Sequence, residues 1–315
     1  MTHPHDPYAI PQEYWDRYSN DDIELPKINI KKEDQDPHSA RLQEVYAYHD
    51  QDISEQEIKN ARRAYYGAIS YVDDKIGLLL KALKETGLDD NTIIVFSGDH
   101  GDMLGERNLW YKMSFFEGSA RVPMIVHAPK RFSAKRVKES VSTMDLLPTF
   151  LEMATNSQQH TYAMPIQGKS LMPHIEGRKN GHDEVIGEYF GEGAIAPLLM
   201  IRRAQYKYVY CHIDPEQLFD LENDPDELNN LAVDPNYADL LGTFNKEALE
   251  RWDSNAMTQD VLISQRRRRL IVKAMNKGKR VTWDHQPIFD SSEMYMRNHI
   301  DLDDLESRSR FPKVE

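Results

Sequence analysis

The stretch "TIIVFSGDHGDMLGERNLWYK", Thr92–Lys112, decides how the rest of the chain is read. Ile93 to Phe96 form an apolar, β-branched run of strand length, and they lead straight into Ser97, Gly98, Asp99, His100, Gly101 and Asp102. Small and polar residues after such a run mark the point where a buried strand gives way to a loop. The strand therefore delivers an acid and an imidazole, side by side, at its C-terminal tip. An oxygen and a nitrogen ligand on a rigid strand end can hold a hard or borderline divalent cation, and Gly98 and Gly101 let the backbone approach closely. The alternative is structural: Asp99 caps a following helix and His100 is held by a backbone carbonyl. Two protein ligands are too few for a metal shell, so other parts must complete it.

Upstream, Ser54 and Glu57 have the spacing of a capping box, and a long helix is predicted from Glu55 to about Glu85. Its apolar positions, Ala61, Tyr65, Ala68, Ile69, Val72, Ile76, Leu79, Leu80 and Leu83, recur at three- and four-residue steps, and Gly87 suits the position just past its end. The first fifty residues, rich in Pro, Asp and Tyr, read as loops and short helices on a surface. Downstream, "VPMIVHAP" (Val122–Pro129) reads as a second strand and "VSTMDLLPTFLEMA" as a helix beginning near Thr143 or Met144. This order suggests an α/β layer architecture with a mostly parallel sheet whose strands are buried on both faces, ligands sitting beyond the strands' carboxyl ends.

After about residue 180 the texture changes. "EVIGEYF", "LLMIRRAQYKYVYCHI" and "EQLFDLENDPDELNNLA" read as strands joined by turns, with "NDPDE" a strong turn signal, and they suggest a small antiparallel sheet. Helices are predicted near Asp239–Trp252 and over 257–275, and a tail follows from Lys277 with Trp283, Phe289, Tyr295, Asp301, Asp303 and Asp304. The expected division is 1–180 for the α/β core, 181–256 for the antiparallel subdomain, and 257–315 for a helix and extended tail.

Composition excludes several classes. The net charge of -13 argues against a general nucleic-acid binder, although a local pocket can still be basic. Mean hydropathy is -0.69, and no apolar run approaches a membrane span. The N-terminus lacks the basic and apolar regions of a secretory signal. Cys211 is the single cysteine, which rules out an intramolecular disulfide and fits a reducing, cytoplasmic compartment. Arg266–Arg269 on a predicted helix reads as a solvated face or an oligomer contact rather than a nucleic-acid site.

Two further segments carry candidate chemistry. Lys112, in "NLWYKMSFFEGSARVP", is either an exposed loop lysine or a fixed cation for an anionic substrate oxygen or a leaving oxygen. "THPHDPY" sets His3 and His5 between prolines, either as a flexible end or as a constrained general acid or donor to a charged oxygen. Trp110, Phe115 and Phe116 read as core.

"IIVFSGDHGDMLGERNLWYKMSFFEGSARVPMIVHAP" followed by "STMDLLPTFLEMA" resembles the C-terminal portion of the sulfatase family, within the alkaline-phosphatase superfamily. The likeness runs from "HPHDPY" to "QLFDLENDPDELNNLA", and the tail ending "HIDLDDLESRSRFP" is similar to bacterial choline-sulfatases in particular. The resemblance implies an alkaline-phosphatase-like mixed central sheet flanked by helices, with a small C-terminal antiparallel subdomain. It implies Asp99 and His100 as metal ligands, for calcium, with Lys112 contacting the sulfate group and His5 the sulfate or the leaving oxygen. Glu188, Asp301 and Asp303 are the candidates for a trimethylammonium head, which cannot donate hydrogen bonds and is held by carboxylate charge and π faces. The implied activity is hydrolysis of sulfuric esters, choline sulfate foremost; a homo-oligomer is expected, and composition points to no nucleic-acid or membrane partner.

One departure stands out. The family's nucleophile is a formylglycine made from a C-x-P-x-R motif, and no Cys, Ser or Thr followed by x-Pro-x-Arg occurs here. The family's N-terminal pair of acidic metal ligands is also missing. The expectation is that the chain corresponds to roughly the last three-fifths of a sulfatase, with the nucleophile and half the metal shell elsewhere. A phosphonate monoester or phosphodiester hydrolase of the same superfamily, or a non-catalytic remnant acting through oligomer contacts, are the rival readings.

Overall fold

The computed structural model describes residues 2–47 and 51–278. In chain order the helices are α1 (Gln12–Trp15), α2 (Pro37–Tyr46), α3 (Glu55–Glu85), α4 (Glu117–Ala120), α5 (Leu146–Thr155), α6 (Met172–Glu176), α7 (Ala238–Arg251) and α8 (Ser254–Met275). The strands are β1 (Ile94–Ser97), β2 (Met124–His127), β3 (Glu184–Tyr189), β4 (Leu198–Arg203), β5 (Tyr206–Tyr210) and β6 (Gln217–Asp220).

Helix α3 forms as its sequence directs. The Ser54 side chain accepts from the Glu57 amide, and the Glu57 carboxylate accepts from the Ser54 amide at 2.8 Å. At the other end Gly87 takes φ +68°, and the amides of Gly87 and Leu88 bond the carbonyls of Lys84 and Leu83. That pair of bonds is the Schellman closure, which a glycine adopts without a Cβ penalty.

The first fifty residues are not all surface. Asp36 caps the Ser39 amide and Pro37 opens α2, after which Leu42, Val45 and Tyr46 are buried against Met103, Leu109, Trp110, Phe116 and Phe219. The Pro- and Asp-rich flanks mask a helix whose apolar side is short yet fully used.

The mostly parallel sheet is also corrected. β1 pairs β2 antiparallel, Ser97 opposite Met124 and Ile94 opposite His127. A parallel pair needs a crossover long enough to return the chain to the same end of the sheet. Between these strands lie a loop and the four-residue α4, which simply turn the chain back. Nor are the strands enclosed on both faces, since Ile125 is exposed. Further exposed apolar side chains are Ile69, Leu78, Leu79 and Leu80 on α3 and Leu147 and Phe150 on α5.

The small antiparallel sheet is present, as the order β3-β4-β5-β6. Leu199, Ile201, Tyr208 and Leu218 pack under Phe244, Ala248 and Trp252 of the α7 segment. At one corner Arg203 binds Glu184 and Glu247, and Arg251 binds the same two acids. Among the described residues no helix is long and apolar enough to cross a membrane.

The Arg203 hydrogen bond above all, with Arg251, holds the Glu247 carboxyl below its ordinary value. Partial burial pushes the Glu184 carboxyl up, and the Arg203 bonds outweigh it, leaving Glu184 lowered too. Acids depressed on folding contribute stability that is present above the unfolded value of about 4.3 and is lost as pH falls through the lower folded value. The protection of β4 amides, relative to their intrinsic exchange at each pH, should therefore fall on acidification below about pH 4.3, and less so in Glu247→Gln. Equal acid sensitivity in the two proteins would show that this corner contributes nothing.

Candidate active site

Asp99 leaves the end of β1 with its side chain 91% exposed, accepting from the His100 amide at 3.1 Å. No α-helix begins there, so it caps none. His100 Nδ1 lies 2.8 Å from the Gly101 carbonyl and must donate to it, which leaves the Nε2 lone pair outward. Nε2 sits 3.7 Å from Asp99 Oδ2, so the imidazole nitrogen and the exposed carboxylate lie side by side. The Asp99 carboxyl is lowered overall. Slight burial pushes it up, and its backbone hydrogen bonds with the nearby His100 and Lys112 outweigh that.

The tip is seated on α4. The Gly101 amide donates to the Ser119 carbonyl at 2.7 Å, and a Cβ at Gly101 would lie 2.2 Å from the Gly118 carbonyl oxygen. No side chain fits there.

From the tip the chain loops out and back. Met103 N donates to Tyr111 O at 2.7 Å and Gly105 N to Leu109 O at 2.8 Å, which returns Lys112 beside Asp99 and His100. Tyr111 (φ 64°) and Met113 (φ 78°) flank Lys112 in the left-handed region, which costs a non-glycine residue about 1 kcal/mol or more. The Tyr111 ring is held by Tyr8 at 6.2 Å and Tyr46 at 5.1 Å between centroids.

The N-terminal segment closes the cluster. His5 Nε2 is 2.6 Å from Lys112 Nζ, and His5 Nδ1 is 2.8 Å from the Asp6 carbonyl. The Lys112 ammonium thus donates into the Nε2 lone pair while Nδ1–H donates to Asp6. The His5 and His100 rings stand 5.9 Å apart. His3 goes elsewhere, edge-on to Tyr71 of α3.

What joins these three segments is a residue the sequence reading passed over. Asp102 accepts from Tyr8 Oη at 2.7 Å, from the Tyr111 amide at 2.9 Å and from the Leu104 amide at 3.0 Å. Burial raises the Asp102 carboxyl, and burial with the facing Asp102 raises the Tyr8 hydroxyl, which stays a donor. The signal was available: Asp102 ends "GDHGD" and Tyr8 ends "HPHDPY", the same two motifs that supplied the other candidates.

Glu188 is not brought to this cluster. Its neighbour Gly187 faces the loop, since a Cβ there would lie 2.6 Å from the Phe115 ring. Alternation along β3 sends Glu188 to the opposite face, where it accepts from Trp252 Nε1 at 2.7 Å. Asp301 and Asp303 lie outside the described residues. Cys211 is buried beside Ala194, Ala196 and Leu198, and burial raises its thiol. For the divalent cation the resemblance implies, Asp99 and His100 fit in kind. They fall short in number: among the described residues no three His, Cys, Asp or Glu side chains come together to hold a metal.

The Sulfatase family model matches residues 1–157, the C-terminal model of N-sulphoglucosamine sulphohydrolase matches 105–254, and the choline sulfatase C-terminal model matches 259–311. The chain belongs to the sulfatase family. It is 42% identical to the choline-sulfatase of Rhizobium meliloti over 100% of this chain and 62% of that protein. It is 34% identical to an arylsulfatase of Clostridium perfringens over 78% of this chain and 51% of that one. The chain thus spans between half and two-thirds of these relatives. A solved 2-O GAG sulfatase aligns with TM-score 0.63 at 28% identity, covering 73% of this chain and 51% of that one. The phosphonate monoester hydrolase of Agrobacterium radiobacter aligns at 0.65 and 24% identity, over 79% and 54%, a likeness of fold alone. The fold is alkaline-phosphatase-like.

Tyr8→Phe removes one of three donors to a half-buried carboxylate, and should cost about 1–3 kcal/mol in denaturant unfolding. Amide exchange over residues 2–8 and 109–112 should rise with it. Unchanged exchange in those segments would mean that Asp102 does not join them.

Proposed function

We propose that this chain supplies the oxyanion-binding face of a sulfuric-ester hydrolase whose substrate is choline sulfate. The observation that carries the reading is the convergence of the Lys112 ammonium, the His5 and His100 imidazoles and the Asp99 carboxylate at the end of β1. No carboxylate among the described residues forms an ion pair with Lys112, so its charge is available to a sulfate oxygen. On this reading His5, oriented through Nδ1 by Asp6, would face the leaving ester oxygen, and a proton from the Lys112 ammonium that bonds its Nε2 would go to that oxygen.

Asp99 and His100 Nε2 would hold the metal, which we take to be calcium, with further oxygen ligands from beyond the described residues. When bound, such a cation neutralises sulfate oxygens and favours the ionised nucleophile. The nucleophile itself, a formylglycine, would come from a segment outside these 315 residues. The exposed apolar residues of α3, β2 and α5 are the surface that segment would cover. Asp301 and Asp303 remain the proposed contacts for the trimethylammonium head, with Glu188 instead bracing Trp252.

The choice of choline sulfate over other esters rests on the Rhizobium relative and the choline sulfatase C-terminal match. We also read the enzyme as a cytoplasmic homo-oligomer. Its lone, buried thiol supports the compartment, and the exposed Leu270, Ile271, Val272 and Met275 of α8 support contact between copies.

The test is co-expression of the chain with the formylglycine-bearing N-terminal portion of the Rhizobium choline-sulfatase. The lone chain should release no sulfate from choline sulfate and should self-associate in light scattering. The combined preparation should release sulfate, in preference to hydrolysing a phosphonate monoester, and Lys112→Ala should lower that rate by about 10²–10³. Turnover by the lone chain that Asp99→Ala abolishes would overturn the missing-nucleophile reading. A combined preparation that hydrolyses only phosphonate esters would overturn the substrate.

A further inference from the structure

The turn "NDPDE" and strand β5 carry a charged group that the site as described does not use. Lys207 is 2% exposed, and it spends its three ammonium protons on Glu227 Oε1 at 2.9 Å, Glu117 Oε1 at 2.7 Å and the Phe115 carbonyl at 2.6 Å. Glu227 returns a second bond, accepting from the Glu117 amide at 2.8 Å through Oε2. Its own carbonyl accepts from Arg107 Nη1 at 2.9 Å, and the Arg107 guanidinium lies 4.0 Å over the Phe116 ring. Glu227 takes φ 57°, a left-handed conformation that these bonds hold in place.

A buried ion cluster of this kind seldom adds net stability over well-packed apolar residues, because each charge must be stripped of water. Its bonds do have a direction. Two of them end on the backbone of the segment that follows Lys112, at the Phe115 carbonyl and the Glu117 amide. Glu117 also opens α4, whose Ser119 carbonyl holds the Gly101 amide at the tip. From the other side Gly187 of β3 lies so close to the Phe115 ring that no Cβ fits between them. The antiparallel sheet thus grips the segment just after Lys112, while Asp102 grips the segment just before it.

We propose that Lys207, with Glu227 and Glu117, is a positioning group for Lys112: the C-terminal sheet sets where the oxyanion-binding cation stands. For its effect on binding this rests on the sulfate reading of the site; for its effect on the loop it does not. Lys207 touches no substrate. It acts through the Phe115 carbonyl, fixing the loop whose left-handed residues would otherwise relax and carry Lys112 away from His5.

The experiment uses the full chain and inorganic sulfate as the probe. Lys207→Met alone leaves Glu227 buried without its cation and is at risk of not folding. The double variant Lys207→Met/Glu227→Gln neutralises both partners, and removing a pair together is far milder than removing one. In the double variant we expect cooperative unfolding to persist and amide exchange in β4 and β5 to stay unchanged. Exchange over residues 111–117 should rise by about tenfold, and the sulfate dissociation constant by about the same factor, the equivalent of one charge-assisted hydrogen bond. The imidazole nitrogen signals of His5 should also shift, because they report the Lys112 contact. A folded double variant with wild-type exchange over 111–117 and wild-type His5 signals would overturn the proposal. If the wild-type chain binds no sulfate, the oxyanion reading falls, and the exchange and His5 signals still decide the role of Lys207.

Discussion

The half-buried carboxylate of Asp102 is the contact on which the geometry of the site depends. Its two oxygens accept from Tyr8, Leu104 and Tyr111, so one side chain ties the His5 segment, the Asp99–His100 tip and the approach to Lys112. A carboxylate largely removed from water must be hydrogen-bonded or neutralised, and among the described residues no lysine or arginine forms an ion pair with this one. That requirement forces three stretches of backbone to one point, and the four candidate side chains come together as a consequence.

Strain around Lys112 has the same logic. Tyr111 and Met113 would not choose the left-handed region by themselves, and the surrounding contacts make the alternative worse. The Tyr111 amide would lose Asp102, and its ring would lose Tyr8 and Tyr46. A loop held this way presents its lysine at a fixed place, which suits electrostatic binding of an oxyanion better than a mobile lysine would.

Two kinds of surface divide the molecule. The antiparallel sheet is well covered: β4 is largely buried, α7 packs on the sheet, and the Arg203–Glu184–Glu247–Arg251 corner ties β3 and β4 to α7. The two-stranded β1–β2 ribbon is not, for a pair of strands that short is marginal in water without a further strand or a covering layer. Ile125 of β2 is exposed, as are apolar side chains of α3 and α5. Asp99, His100 and Lys112 extend from this ribbon, so the part of the fold with fewest partners of its own also carries the candidate chemistry.

Local chemistry made much of this legible. The capping box and Gly87 bounded α3, alternation and "NDPDE" outlined the four-stranded sheet, and "GDHGD", "NLWYK" and "HPHDPY" pointed to Asp99, His100, Lys112 and His5. Caps, turns and strand ends depend on residues a few positions apart, which a sequence displays directly. Strand direction was not legible, because whether β2 runs with or against β1 depends on the path of the residues between them. The side of β3 that Glu188 takes was not legible either, since register against Phe115 is a relation between distant segments. Asp102 and Lys207 look like ordinary surface charges in the sequence. Only the tertiary structure buries Lys207 and half-buries Asp102, and removal from water is what turns an acid or a lysine into a group that backbone must gather around.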